Sequence, residues 1–185
     1  MSVKVLAFAG SLRTGSYNRL ALKAAIELKP ADMQIETFDI APIPLYNEDV
    51  RGKGFPPAVE EFRNKIRQAH ALLIATPEYN YSMPGVLKNA IDWASRPPDQ
   101  PFNDKPVAIM GASGSLLGTA RAQYDLRRSC VFLNMHLVNK PEVMIAQAHN
   151  KFDASGRLTD ETTRKLIAEL LLNLAAWTRR LSGEK

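Results

Sequence analysis

An internal disulfide framework is excluded at once, because the 185 residues contain a single cysteine. That residue, Cys130, lies in the run RRSCVFLN and reads as a small buried hydrophobe. Histidine is scarce too. His70, His136 and His149 are far apart, and none has a Cys or His at metal-ligand spacing, so no metal site is expected. The chain has no run of about 18 apolar residues, and its start shows no charged segment leading into a long apolar one. Neither a membrane partner nor a secretory signal is therefore expected, and the cytoplasm is the default location. The basic residues are scattered and form no tract, which argues against a nucleic-acid partner.

What is present has a globular balance, with 45% hydrophobic and 23% charged residues. The length suits one domain spanning residues 1–185. Twenty-four Lys and Arg against nineteen Asp and Glu leave a net charge of +5. That surplus favours an anionic partner, and a phosphorylated small molecule fits scattered charge as well as any.

The chain alternates strand-like and helix-like segments. VKVLAFA at 3–9 and ALLIAT at 71–76 are short and almost wholly apolar, as central parallel strands are. PVAIMGA at 106–112 reads the same way, 33–39 alternates, and a weaker strand is expected within 135–145. Apolar spacing predicts helices over 18–28, from Pro57 to about Ala69, over GVLKNAIDWAS, over about 119–133, and over 160–181. In the last, Leu166, Leu170, Leu174, Trp177 and Leu181 form the expected inward stripe. Such alternation points to a doubly wound α/β sandwich, with either of two common strand orders. In both, ligands bind beyond the carboxyl ends of the strands where the winding reverses. Three polar loops fall there: 10–18, 77–85 and 111–119.

The first, GSLRTGSYN, leaves a buried strand and opens a helix, so it offers unpaired N–H groups and the positive end of a helix dipole. Ser11, Ser16 and Asn18 add neutral donors, and Arg13 adds a charge suited to phosphate oxygens. Gly10 and Gly15 have P-loop spacing, but Ser16 stands where the lysine belongs. Leu12 occupies the second glycine position of the dinucleotide fingerprint. A terminal monophosphate remains, and the competing reading is a plain capping loop with Ser16 or Asn18 as N-cap. The second loop, TPEYNYSMPG, is a stiff segment whose backbone N–H groups suit the edge of a flat heteroaromatic ring. Its prolines read alternatively as a strand stop and a helix start. The third, GASGSLLG, lets the backbone pass close to a ligand edge through Gly111, Gly114 and Gly118.

GSLRTGSYN together with PEYNYSMPGVLKNAIDWAS resembles the NAD(P)H-dependent FMN reductase family, a flavodoxin-like group that includes bacterial quinone and chromate reductases. The likeness continues through GTARAQYDLR and NKPEV. It implies a flavodoxin-like three-layer sandwich around a five-stranded parallel sheet in the order 2-1-3-4-5. It implies FMN as cofactor and NADPH or NADH as co-substrate. The electrons would pass to small-molecule acceptors: quinones, free flavins, azo dyes or oxyanions such as chromate. By the same resemblance, Ser11, Arg13, Ser16 and Asn18 would hold the FMN phosphate, and Pro77, Glu78, Tyr79, Asn80 and Ser82 the isoalloxazine ring. Ser113 and Gly114 would lie beside the ring or ribityl chain. Tyr17 and Tyr81 would take variable or stacking positions. No side chain is expected to act as catalytic nucleophile, acid or base.

The family also implies a homodimer or homotetramer, with contacts in loop 40–56 and at Met83–Pro84. Arg121, Tyr124 and Glu142 are candidates for a second interface. Two other classes compete with an enzyme: a flavodoxin-type electron carrier, and a binding protein that kept the fold without the cofactor. Carriers of that type have a Thr-rich phosphate loop and acidic surfaces, and this chain has neither.

Overall fold

In the computed structural model, which describes residues 2–183, a parallel sheet runs through the middle of the molecule. Its strands are β1 (Val3–Ala9), β2 (Met33–Phe38), β3 (Ala71–Ala75), β4 (Pro106–Ala112), β5 (His136–Leu137) and β6 (Val143–Ile145). The order is β2-β1-β3-β4-β5, and β6 also pairs with β4. The expected fifth strand is thus two short pieces on one flank of β4, His136 opposite Pro106 and Val143 opposite Met110. Pro141 lies between them and has no N–H to give to a ladder.

The helices are α1 (Tyr17–Leu28), the single turn α2 (Glu48–Arg51), α3 (Pro57–Gln68), α4 (Gly85–Ala94), α5 (Ala120–Phe132) and α6 (Glu161–Leu181). The sheet separates two apolar cores. Val3, Val5 and Ala7 of β1 face α1 and α6, while Leu6 and Phe8 face the α3–α4–α5 side. β3 and β4 divide in the same way, which is why their sequences show no polar alternation. Edge strand β2 is covered less and alternates.

Val59, Phe62 and Ile66 of α3 are fully buried, as their spacing requires. The stripe of α6 is rotated from the expected one. Thr163, Ile167, Leu170, Leu171, Leu174, Ala175 and Thr178 are buried, Leu166 and Trp177 only partly, and Leu181 is exposed. Loop 40–56, which carries α2 capped by Asn47, is tied to α4. Trp93 Nε1 and Asn89 Nδ2 each donate to Pro44 O at 2.8 Å. Cys130 is buried, and desolvation pushes its thiol up to about 12. Among the described residues no helix is long and apolar enough to cross a membrane, and no cluster of His, Cys, Asp and Glu forms a metal-binding group.

From β1 the chain turns outward to β2, then crosses back over β1 to β3. Loops leaving the carboxyl ends of β1 and β3 therefore diverge, and a crevice opens between them.

Candidate functional site

A hollow of about 240 Å³ lies in that crevice. All of the sequence-predicted site residues line it except Asn80, Tyr81 and Ser82, and Ala112 joins them. A larger cavity of about 660 Å³ lies between α4 and α5. It touches only Ser82 of the predicted set, and the phosphate-type loop takes no part in it, so the smaller hollow is the candidate site.

The loop after β1 starts when Gly10 N donates to Ala75 O at 2.8 Å, the last tie to β3. Beyond it the N–H groups of Ser11, Leu12, Arg13, Thr14 and Gly15 find no acceptor among the described residues. Ser16 N returns to Arg13 O at 3.1 Å, and the helix begins. Ser16 is the N-cap of α1: its Oγ accepts from Asn18 N at 3.2 Å and Arg19 N at 3.5 Å. The capping reading is therefore correct for Ser16, and it leaves the free N–H groups of the loop untouched. Five consecutive unpaired donors in front of a helix N-terminus suit a phosphate dianion. Arg13 is exposed, with its guanidinium 5.5 Å from the Tyr17 ring centroid and no carboxylate partner among the described residues. The neighbouring Arg19 is committed, donating to Ser11 O at 3.1 Å and to Asp39 Oδ1 at 3.0 Å.

Asn18 is 2% exposed and spans the crevice. Its Nδ2 donates to Ala112 O at 2.9 Å and its Oδ1 accepts from Ala112 N at 2.8 Å. The side chain reproduces a strand pair and fixes the first loop to the end of β4. Behind it Gly111 leaves room for nothing else: a Cβ there would lie 2.1 Å from Thr119 Oγ1 and 2.3 Å from Thr76 O. In the third loop, Ser113 Oγ accepts from Ser115 N at 3.0 Å, and Ser113 N donates to Ile145 O at 3.0 Å. β6 thus holds the third loop, a dependence that nothing in the sequence signals.

The loop after β3 folds into a tight hairpin. Tyr79 N donates to Ser82 O at 2.9 Å and Ser82 N to Tyr79 O at 3.0 Å. Asn80 and Tyr81 between them have φ of 50° and 68°, the left-handed pair of a type I′ turn. Asparagine tolerates that region, whereas tyrosine does so at a cost of about 1 kcal/mol or more. The carboxylate of Glu78, its side chain 6% exposed, turns away from solvent onto the start of α5. Ser82 Oγ donates to Asp125 of α5, which places Ser82 at the edge of the larger cavity. Glu78 and Ser82 thus face α5, and the turn presents its free backbone N–H groups and the exposed rings of Tyr79 and Tyr81.

The donor set fits FMN on two counts. Unpaired N–H groups and an arginine without a carboxylate partner among the described residues would suit its phosphate, and a stiff turn, a backbone without side-chain bulk at Gly114 and a half-buried Tyr17 bound the space beside them.

Comparison with known proteins places the chain in a family. A family model for NADPH-dependent FMN reductase matches residues 3–150. The chain is 65% identical over 181 residues to an NAD(P)H-dependent FMN reductase of Pseudomonas aeruginosa, covering 98% of each chain. It is 47% identical over 188 residues to an NADPH:quinone oxidoreductase of Arabidopsis thaliana, covering 98% of this chain and 95% of that one. Among solved structures, the flavoenzyme NAD(P)H:(acceptor) oxidoreductase FerB of Paracoccus denitrificans superposes with a TM-score of 0.87 at 33% identity, over 96% of this chain and 98% of that one.

Proposed function

The chain belongs to the NADPH-dependent FMN reductase family, and from that premise we propose that it is an FMN-dependent NAD(P)H oxidoreductase passing electrons to quinones or free flavins. Membership favours an enzyme over an electron carrier, because the matching relatives are named as reductases. The observation that carries the site assignment is the run of free N–H groups from Ser11 to Gly15 at the mouth of a hollow lined by Arg13, Pro77, Tyr79 and Gly114.

In this reading residues 1–185 act as one FMN-binding unit. The first loop and Arg13 hold the phosphate, with Ser11 Oγ as a further donor. Asn18 and Ser16 act one step back: one fixes the loop to β4 and the other ends its helix. Pro77 and Tyr79 lie along the ring, with Asn80 and Tyr81 N–H groups at its edge, and Ser113 and Gly114 bound the other side. When bound, FMN supplies the redox chemistry itself, accepting a hydride from NADPH or NADH and passing two electrons to the second substrate. The chain binds and orients it. Backbone N–H dipoles at the turn are preorganised for negative charge developing at the ring edge, an effect that does not depend on any acid or base.

Chromate belongs to the same proposal as an acceptor of lower specificity, because transfer from an open ring face requires contact rather than a shaped pocket. A homodimer or homotetramer is also part of it. Leu45 and Val50 on loop 40–56 and Phe132 beside the larger cavity are exposed apolar groups that a second copy would cover. The proposed location is the cytoplasm.

Anaerobic mixing of the FMN-loaded protein with NADPH tests the function. Bleaching of the visible flavin band within seconds, and its return on adding a quinone, is the expected result. A band unchanged by NADPH and NADH contradicts the reductase reading.

A further inference from the structure

We propose that Arg121 is a positioning residue for the reaction: with Glu78 it locks the ring-facing turn onto α5 and neutralises a carboxylate buried behind the ring edge. This rests on the flavin reading above for its catalytic consequence, though not for its structural part.

Helix α5 starts without local help. Its N-cap, Thr119, makes no side-chain capping bond, and its first turn has no acidic residue. The missing acceptor comes from the other loop. Glu78 Oε2 accepts from Arg121 N at 3.0 Å and Ala122 N at 3.1 Å, and Oε1 accepts from Arg121 Nε at 2.6 Å. Arg121 Nη2 stands 2.6 Å from the same oxygen, so Oε1 takes the guanidinium fork while Oε2 takes the two backbone N–H groups. With the guanidinium closed on Glu78, its Cζ lies over the Tyr81 ring, 3.6 Å from the centroid. One turn further on, Asp125 accepts from Ser82. Residues 78, 81 and 82 are therefore gripped by one helix, on both sides of the two left-handed residues.

Two consequences follow. The left-handed conformation of Tyr81 is unfavourable in isolation, so losing the stack should loosen the turn even in the absence of cofactor. The Glu78 carboxylate, largely removed from water, is balanced by Arg121, and losing the arginine leaves negative charge beside a ring that becomes more negative on reduction. The first effect is mechanical and the second electrostatic, and only the second is reversed by also neutralising Glu78.

The experiment uses the parent, Arg121→Met, Arg121→Lys and the double variant Glu78→Gln/Arg121→Met. Hydrogen exchange of the apo-protein is read over 77–83. Arg121→Met should exchange there about tenfold faster, and Arg121→Lys, which lacks the planar fork, should lie between it and the parent. For the loaded protein, Arg121→Met should keep its affinity for oxidised FMN within about threefold. Its ratio of reduced to oxidised affinity should fall about tenfold, a lowering of about 30 mV for a two-electron couple, and the double variant should recover most of it. Parent-like exchange in Arg121→Met, or a potential that the double variant does not restore, overturns the proposal. Because exchange is read without cofactor, a parent that takes up no FMN overturns the flavin reading while exchange still decides the role of Arg121. Should Arg121→Met fail to fold, Arg121→Lys, which keeps the charge but not the fork, carries the exchange test alone, with a smaller acceleration over 77–83 expected and parent-like exchange overturning the proposal.

Discussion

Asn18 and Ala112 are joined by a two-way hydrogen bond, 2.9 Å from Nδ2 to the carbonyl and 2.8 Å from the amide to Oδ1. A side chain from the first loop thus completes the carboxyl end of β4, so the first and third walls of the site form one unit. Replacing Asn18 with Ala strands both backbone groups of Ala112 away from water. A loss of about 2–4 kcal/mol in unfolding free energy is expected, read by urea denaturation, with a parallel loss of FMN affinity. Unchanged stability would contradict the strut.

Arg13 and Ser16 separate binding from folding. Arg13 is exposed, so Arg13→Ala should leave the melting temperature unchanged and weaken FMN about tenfold or more, without affecting riboflavin, which lacks the phosphate. Ser16→Ala should instead cost about 1 kcal/mol of stability through the lost cap of α1. Paired titrations with FMN and riboflavin, alongside thermal melts, distinguish the two.

Two glycines should respond in opposite ways. Gly111→Ala drives a Cβ into Thr119 and the carbonyl of Thr76, a backbone atom that cannot swing aside, and a cost of about 3 kcal/mol or more is expected. A Cβ at Gly15 meets only the end of Arg13, at 3.8 Å, so Gly15→Ala should keep its stability. Equal denaturation midpoints for the two variants would contradict the packing described for β4.

Asp160 provides a pH test. Hydrogen bonds from the Thr163 hydroxyl and backbone N–H, with Lys151 nearby, hold its carboxyl below its ordinary value of 3.8. A depressed folded value means that the stabilisation is fully present above the unfolded value and is lost as pH falls through the folded one. The stability gap between parent and Asp160→Ala, about 1 kcal/mol for an N-cap, should be constant at neutral pH and shrink below about pH 4. A gap that grows on acidification would reverse the assigned sign.

Much of this arrangement is legible in the sequence. β1, β3 and β4 are buried on both faces, so their sequences are plain apolar runs, and the loops between them are correspondingly conspicuous. Apolar spacing also locates the five long helices to within a residue or two. What stays hidden depends on contacts distant in the chain. Ser82 looks like one of the ring-facing residues, yet Asp125, 43 positions away, draws its hydroxyl onto α5. Glu78 looks like a ligand, yet its carboxylate serves the N-terminus of α5. Arg63 falls among the charged residues of α3 but is buried, donating to the carbonyls of Ala94 and Arg96, and periodicity carries no sign of such an acceptor. The stripe of α6 departs from its apolar pattern because Thr163 and Thr178 are buried in it, and hydrophobicity alone assigns threonine to neither side.

The central claim is that free amides between Ser11 and Gly15 hold the phosphate of FMN. Its most direct test is calorimetric titration of the cofactor-free protein with FMN and with riboflavin under the same conditions. FMN should bind at least about a hundredfold more tightly, the worth of a phosphate held by several charge-assisted hydrogen bonds. Equal affinity for the two, or heat from neither, would contradict it.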